Sequence, residues 1–346
     1  MKRLALLGLS ACSACSGHVA LNLFYDDELV EAPHADLRIE PPEVLVTPDD
    51  VAVVAYTAGT TGVSKPVVLT HKNITAVLAS VAPLFKLTKR DSGLSVLPLF
   101  HTFELTCGLL LPLLRGARVT YVDAVTSEAL SQAFQVAGIT AMIGVPQVWE
   151  ELEAKIQRDL EDSGPFAEAA YQAGLFLNRT IGRALGVNLG RVLFRPIHDR
   201  LGGRVRFLVS TGGPVPKKTA DTFRSLGIEL KQGYGLTEAA PVIALGDTKG
   251  GQAIPGVEVE IRDANEDGVC EIVARGDAVS RGYLDDDELT AAAFGPDGWL
   301  RTGDLGRIDK EGRITVVARH HEVITLADGR RVYPRTIEEQ LAQTKG

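Results

Sequence analysis

Apolar positions along this chain follow two rhythms. Between residue 51 and about residue 245, short β-branched or aliphatic runs (51–55, 93–98, 117–122, 139–143, 205–209) alternate with stretches of helical spacing. That alternation predicts an α/β fold built on layered, mostly parallel sheets. From 146 to 201 the spacing stays helical, with charges punctuating an Ala/Leu face. Solvent is the default environment for such a face, and a membrane or a partner is the rarer one. After about 245 the period becomes two: 257–262 and 269–274 alternate apolar and polar residues between turn signals, as antiparallel strands do. The predicted division is a lead-in over 1–50, an α/β core over 51–245, a small β-rich distorted barrel over 246–318, and a terminal piece over 319–346.

Composition narrows the function without naming it. With 346 residues the chain is long enough for two or three subdomains with a real core. It is 45% hydrophobic and 23% charged, as soluble globular proteins are. Net charge is −8 and no Lys/Arg block interleaves with aromatics, so nucleic acid is not an expected partner. Any polyanion must be held by local donors and a metal. No apolar run reaches the length of a bilayer span. Cys12 and Cys15 have C-x-x-C spacing but no second pair or His cluster, which argues against zinc. Cys107 and Cys270 lie in apolar stretches and read as core residues in a reducing compartment. Residues 1–12 have a lipoprotein-like signal pattern, and the favoured reading of the same residues is a buried strand, or chain continuing from sequence that is missing.

Four segments carry chemistry. Residues 56–66 read Y-T-A-G-T-T-G-V-S-K-P, between an apolar run and a helix opening near Thr70-His71-Lys72-Asn73. Gly59 and Gly62 let backbone N–H groups turn toward an anion; Thr57, Thr60, Thr61 and Ser64 add hydroxyls, and Lys65 a charge. This is a phosphate loop of a kind other than G-x4-G-K-[ST]. Gly212-Gly213-Pro214 closes an apolar run, where backbone approaches a flat ligand closely. In Gln232-Gly-Tyr234-Gly235-Leu-Thr237-Glu238, Tyr234 offers an aromatic face, Thr237 a hydroxyl for phosphate and Glu238 an oxygen ligand for Mg²⁺. Asp304, after a glycine, has a carboxylate able to accept from two ribose hydroxyls, and Arg319 lies at the end of another apolar run. Taken singly, each segment has an ordinary structural explanation: a surface turn, a capping aspartate, a solvated arginine.

Their order resembles the adenylate-forming (AMP-binding) superfamily, and the context of Arg195-Pro196 and of 200–210 is most like the long-chain fatty acyl-CoA synthetases. The resemblance covers roughly residues 45–346, including Gly282-Tyr283, Trp299 to Asp304, and Gly329 to Glu338. It implies a ligase that activates a carboxylic acid with MgATP to acyl-AMP and passes the acyl group to coenzyme A. Thr57, Thr60, Thr61, Ser64 and Lys65 would then hold the β- and γ-phosphates, Glu238 the Mg²⁺ and Thr237 the α-phosphate. Tyr234, Gly235, Gly212 and Gly213 would enclose adenine, Asp304 and Arg319 the ribose, and His101 would stand beside the reacting carboxylate. Lys65, His101, Thr237 and Glu238 are the catalytic candidates. A cytoplasmic location with at most peripheral membrane contact follows from the need for ATP.

The pattern also departs from the family. Ala58 stands where a serine is usual, and Pro66 where the loop normally offers a glycine N–H. The family's hinge pattern Arg-x-Lys-[Asp/Glu] is here Arg319-His320-His321-Glu322: Glu322 matches the pivot, His321 replaces the lysine, and 319–346 reads as the hinge and stub of a C-terminal domain. The family's C-terminal lysine has no counterpart after Glu322, and both ends read as truncated, with 1–50 as a remnant of an N-terminal subdomain. The alternatives are a non-catalytic acyl- or nucleotide-binding homologue, and a ligase that loads a carrier protein or works with a separate C-terminal domain.

Overall fold

The computed structural model describes residues 6–11, 19–25, 28–30, 46–57, 64–122, 124–182, 184, 186–262, 269–326, 331–334, 337–338 and 341. The strands in chain order are β1 (Leu6–Ala11), β2 (Val19–Tyr25), β3 (Glu28–Val30), β4 (Val51–Tyr56), β5 (Pro66–Thr70), β6 (Ser92–Ser95), β7 (Arg118–Tyr121), β8 (Ala141–Gly144) and β9 (Phe207–Ser210). They continue with β10 (Glu229–Tyr234), β11 (Ala244–Asp247), β12 (Gly250–Ala253), β13 (Val257–Arg262), β14 (Cys270–Gly276), β15 (Leu300–Ile308) and β16 (Ile314–Arg319). The chain falls into two compact units. One comprises residues 1–45 and 85–231, the other residues 46–84 and 232–346.

In the first unit β6 pairs in parallel with β7 and with β8, and β8 in parallel with β9. These are the strands that the apolar runs predicted. At the outer edge β7 takes β1 antiparallel, then β2 and β3 follow as a meander, so the sheet is mixed. The N-terminal segment forms a strand over Leu6–Ala11, while Cys12 and Cys15 lie outside the described residues. Helices follow the parallel strands. Helix α1 (His71–Phe85) instead follows β5 and, up to Leu84, belongs to the second unit; in the first, α2 runs over Leu111–Leu114, with a π-helical stretch at Glu104–Leu110 before it. Helix α3 (Ser127–Ala137) starts where the Thr126 side chain accepts from the Ala129 N–H and stops at left-handed Gly138. Helices α4 (Pro146–Asp162) and α5 (Pro165–Leu177) each place proline at their first position. Trp149, Phe134 and Phe223 fill the core between these helices and the sheet.

The second unit is antiparallel throughout its described pairings. Strand β4 pairs with β5 as a separate ribbon. The other strands run in the order β10-β11-β12-β16-β15-β14-β13, an open sequence with no closed barrel among the described residues. Residues 46–84 thus belong with residues 232–346, and the contiguous boundaries at 50 and 245 do not mark the units. The cause is hydrogen bonding across long sequence gaps. The Val68 N–H donates to Gly282 O at 3.0 Å, and Asn73 Nδ2 donates to Asp277 O and Val279 O, both at 2.8 Å. Asn73 also closes a cap with Thr70: Thr70 N–H and Oγ1 donate to its Oδ1, and its own N–H donates to Thr70 Oγ1. This fixes the start of α1 at the point the sequence indicated.

Candidate active site

The mouth of the 56–66 loop is built from local hydrogen bonds. Thr57 N–H donates to Lys65 O at 3.0 Å, Lys65 N–H donates back to Thr57 Oγ1 at 3.0 Å, and Ser64 Oγ donates to Thr57 O at 2.7 Å. Thr57 and Ser64 therefore shape the loop's neck. Ala58, Gly59, Thr60, Thr61 and Gly62 lie outside the described residues. The Lys65 ammonium lies 5.5 Å from the centre of the Tyr283 ring, a cation–π distance.

Tyr283 was not assigned a role from sequence, and it sits at the centre of this region. Residues 280–284 run along the edge of β5: Tyr283 bridges Val67, Leu284 N–H donates to Pro66 O, and Ser280 Oγ donates to Val68 O. The Tyr283 hydroxyl donates to Glu238 Oε1 at 2.8 Å in a buried position, and Ser280 N–H donates to Glu238 O. Burial and the neighbouring carboxylate push the Tyr283 phenol far above its ordinary range, so it stays a donor. No described residue hydrogen-bonds Glu238 Oε2. Among the described residues there is no cluster of three His, Cys, Asp or Glu side chains arranged to hold a metal. A single carboxylate suits Mg²⁺, which keeps waters and takes further oxygens from phosphates.

Thr237 and Glu238 sit on a short 3₁₀ turn after β10. Its tightness explains Gly235, where a Cβ would lie 1.8 Å from Pro241 O. That oxygen is backbone and cannot retreat, so only glycine fits.

The third group is formed by Tyr234, Asp304 and Arg319. Asp304 is 3% exposed. Its Oδ2 accepts from the Tyr234 hydroxyl at 2.9 Å, its Oδ1 pairs with Arg319 Nε at 3.1 Å, and its N–H donates to Thr302 Oγ1. Asp304 and Arg319 are direct partners in the β15–β16 ladder, which is why residues 15 apart meet. Desolvation raises the Asp304 pKa, while Arg319 and Tyr234 pull it back. Desolvation beside Asp304 raises the Tyr234 phenol well above normal. The Arg319 N–H in turn meets Glu322 Oε2 at 3.3 Å, so the Glu322 predicted as a pivot caps the turn that follows β16.

His101 and the Gly212-Gly213 pair belong to the first unit. His101 is exposed on the turn after β6, where its N–H donates to Pro98 O. Gly212, with φ +81°, follows β9. Both thus lie beyond the C-terminal ends of parallel strands, the edge at which open α/β sheets bind ligands. Cys107 and Cys270 are buried free thiols, as expected. Sequence reasoning passed over Glu104, whose two oxygens are fully buried and without a hydrogen-bond partner on the π-helical stretch.

Residues 9–284 match the family model described as AMP-binding enzyme. The chain is 31% identical over 328 residues to "Long chain acyl-CoA synthetase 6, peroxisomal" of Arabidopsis thaliana, covering 89% of this chain and 46% of that protein. It is 29% identical over 340 residues to a long-chain-fatty-acid–CoA ligase of Homo sapiens, covering 92% and 51%. The chain thus spans about half the length of these curated relatives. Among solved structures, O-succinylbenzoate coenzyme A synthetase of Bacillus subtilis in complex with AMP aligns with a TM-score of 0.65 and 25% identity, over 87% of this chain and 55% of that one. A malonyl-CoA ligase with methylmalonyl-CoA and AMP bound aligns with a TM-score of 0.63 and 26% identity, over 88% and 60%. With the family model matching most of its length, the chain belongs to the AMP-binding enzyme family.

Proposed function

We propose that this chain binds ATP and a long-chain fatty acid as part of an acid–thiol ligase that forms acyl-AMP and then acyl-CoA. The carrying observation is Asp304, nearly inaccessible yet ionisable, held between the Tyr234 hydroxyl and the Arg319 guanidinium. A carboxylate kept in that setting is positioned to accept from vicinal hydroxyls of a ribose, with Tyr234 beside it as a platform for adenine. The relatives named as fatty-acyl ligases and the neighbours bound to AMP support the same reading.

The chemistry is charge management. A carboxylate oxygen attacks the α-phosphorus of ATP, the bond to the bridging oxygen breaks, and pyrophosphate leaves. The CoA thiolate then attacks the acyl carbon and AMP leaves. In this reading Lys65 and the hydroxyls and N–H groups of residues 57–64 hold the β- and γ-phosphates, and Thr237 donates to the α-phosphate. Glu238 would hold Mg²⁺ with the phosphate oxygens, and the ion supplies compensation for the phosphate charge. Tyr283 fixes one Glu238 oxygen so that the other faces its ligand.

Isothermal titration with MgATP, followed by ATP–pyrophosphate exchange across a panel of carboxylic acids, tests this. Asp304→Ala should weaken nucleotide binding at least about tenfold, the scale of a lost charge-assisted pair. Exchange is run with and without an added C-terminal domain from a homologue. Absence of MgATP binding by the wild-type chain would sink the proposal.

A further inference from the structure

Glu104 is a buried carboxyl that the adenylation chemistry does not use. Neither of its oxygens has a hydrogen-bond partner, and native proteins rarely leave such a group without a reason. It opens the seven-residue π-helical stretch Glu104–Leu110, whose wide register ends with the Leu111 N–H donating to Thr106 O, five residues back. The next residue, Pro112, has no N–H with which to reach Gly108 O in the α register. The Glu104 carboxyl folds onto its own helix at Gly108, where a Cβ would lie 2.3 Å from Oε1 and 2.8 Å from Oε2. An uncharged carboxyl can fill that space, whereas a carboxylate there has lost its water and gained no cation.

The groups around it are neutral. Cys107 lies on the same stretch, Ser95 on β6 and Tyr121 on β7. Strand β8, Ala141–Gly144, also packs against the stretch and is uncharged. Helix α2 carries no charge, and Arg115 beyond it is exposed with its Nε donating to Leu87 O at 3.1 Å. Among the described residues no cation pairs with Glu104.

One end of this helical segment is tied and the other is free. Downstream, Ala117 N–H donates to Pro112 O at 2.9 Å and Arg115 N–H to Leu111 O at 3.2 Å, which fasten α2 to the start of β7. Upstream, Leu105 N–H donates to His101 O at 2.9 Å, and residues 98–101 form an exposed turn. Returning one residue from the wide register to the α register turns a segment by about 100°. With the far end fastened, that rotation is taken up at His101.

We propose that neutral Glu104 is a positioning residue, which locks the π-helical register and with it the turn carrying His101, and that its ionisation releases both. The consequence for acid binding rests on the adenylation reading, in which His101 is a catalytic candidate; the lock does not. Burial raises the Glu104 pKa to about 7. The lock is therefore firmest below about pH 4.5, loosens as pH rises toward 7 and changes little above. Cys107, pushed up to about 12, and Tyr121, also raised, stay neutral across that range.

The test is hydrogen exchange of the whole chain and of Glu104→Gln at about pH 5 and pH 8, corrected for the intrinsic rates. Protection of amides 102–111 should fall at least about tenfold more in wild type than in the variant. At pH 8 that exchange should be indifferent to about 1 M urea, because a local release exposes little surface. Equal pH dependence in the two proteins overturns the proposal. So does urea-sensitive exchange that matches α3, which would make Glu104 a stabiliser of the whole unit. ATP–pyrophosphate exchange reads the link to His101. The KM for the acid should rise at least about threefold from pH 5 to 8 in wild type only, with the KM for MgATP level. A KM for the acid that changes alike in both proteins overturns the positioning role. Altered protection with no pyrophosphate exchange at any pH would support the lock and count against the adenylation reading alone.

Discussion

Glu104 sets up a measurable pH dependence. Its side chain is 0% exposed and its carboxyl oxygens lack hydrogen-bond partners. A Cβ on Gly108 would lie 2.3 Å from one of them, so glycine one turn later makes the space the carboxyl occupies. Desolvation raises its pKa from 4.5 to about 7, opposed only by the nearby Ser95 hydroxyl. The titratable groups facing it are Cys107, pushed up to about 12, and Tyr121, also raised, so both stay neutral between pH 4 and 8. Because the folded-state pKa lies above the unfolded one, the folded protein holds the proton more tightly. The stabilising contribution is complete below about pH 4.5, is lost as pH rises through the folded pKa near 7, and is flat above that. At 1.36 kcal/mol per unit, the loss amounts to about 3 kcal/mol. Glu104→Gln removes the titration and keeps the shape. The difference in unfolding free energy between this variant and wild type should therefore grow by about 3 kcal/mol from pH 4.5 to 8, a relative midpoint shift of roughly 1 M urea. Urea titrations followed at 222 nm report chiefly the helix-rich first unit. Taking the difference cancels other groups that titrate in the window, His198 among them. Parallel pH curves for the two proteins would refute the argument.

Three further outcomes are expected. Asn73→Ala strands two backbone carbonyls and a helix cap, and should cost about 3 kcal/mol, read as a lower unfolding temperature for the second unit. Gly235→Ala should yield no folded second unit on limited proteolysis, because the new methyl meets backbone at Pro241. Tyr234→Phe keeps the ring but removes the donor to Asp304; AMP affinity by calorimetry should fall about tenfold with little change in thermal stability.

Much of the first unit was legible in the sequence because its strands are short apolar runs separated by helical periods. Buried parallel strands have that pattern, and β6 to β9 pair as expected. The two-residue period after 245 likewise marked β13 and β14, which pair antiparallel. The membership of residues 46–84 was hidden, since it depends on single hydrogen bonds to residues more than 200 positions away. Among site residues, Asp304 and Arg319 were readable as types in a motif, and their pairing is a matter of strand register. Tyr283 was noticed as part of a motif without a role. Its partner Glu238 is 45 residues distant, and the contact exists only through the turn at Gly235. Glu104 carried no signal, because an acidic residue in an apolar stretch reads as solvent-facing until its burial is known.

The attachment of residues 280–284 to β5 bears on how the chain folds. Strand β5 is made during synthesis long before the residues that cover it, and Val67, Val68 and Leu69 end fully buried. The nearly 150 residues of the first unit's second segment emerge in between. Closing so long a loop makes docking of the ribbon a slow, non-local step. Until then β5 presents an unpaired apolar edge, so a nascent or fragmentary chain ending before Ser280 would expose an aggregation-prone strand that the finished protein conceals.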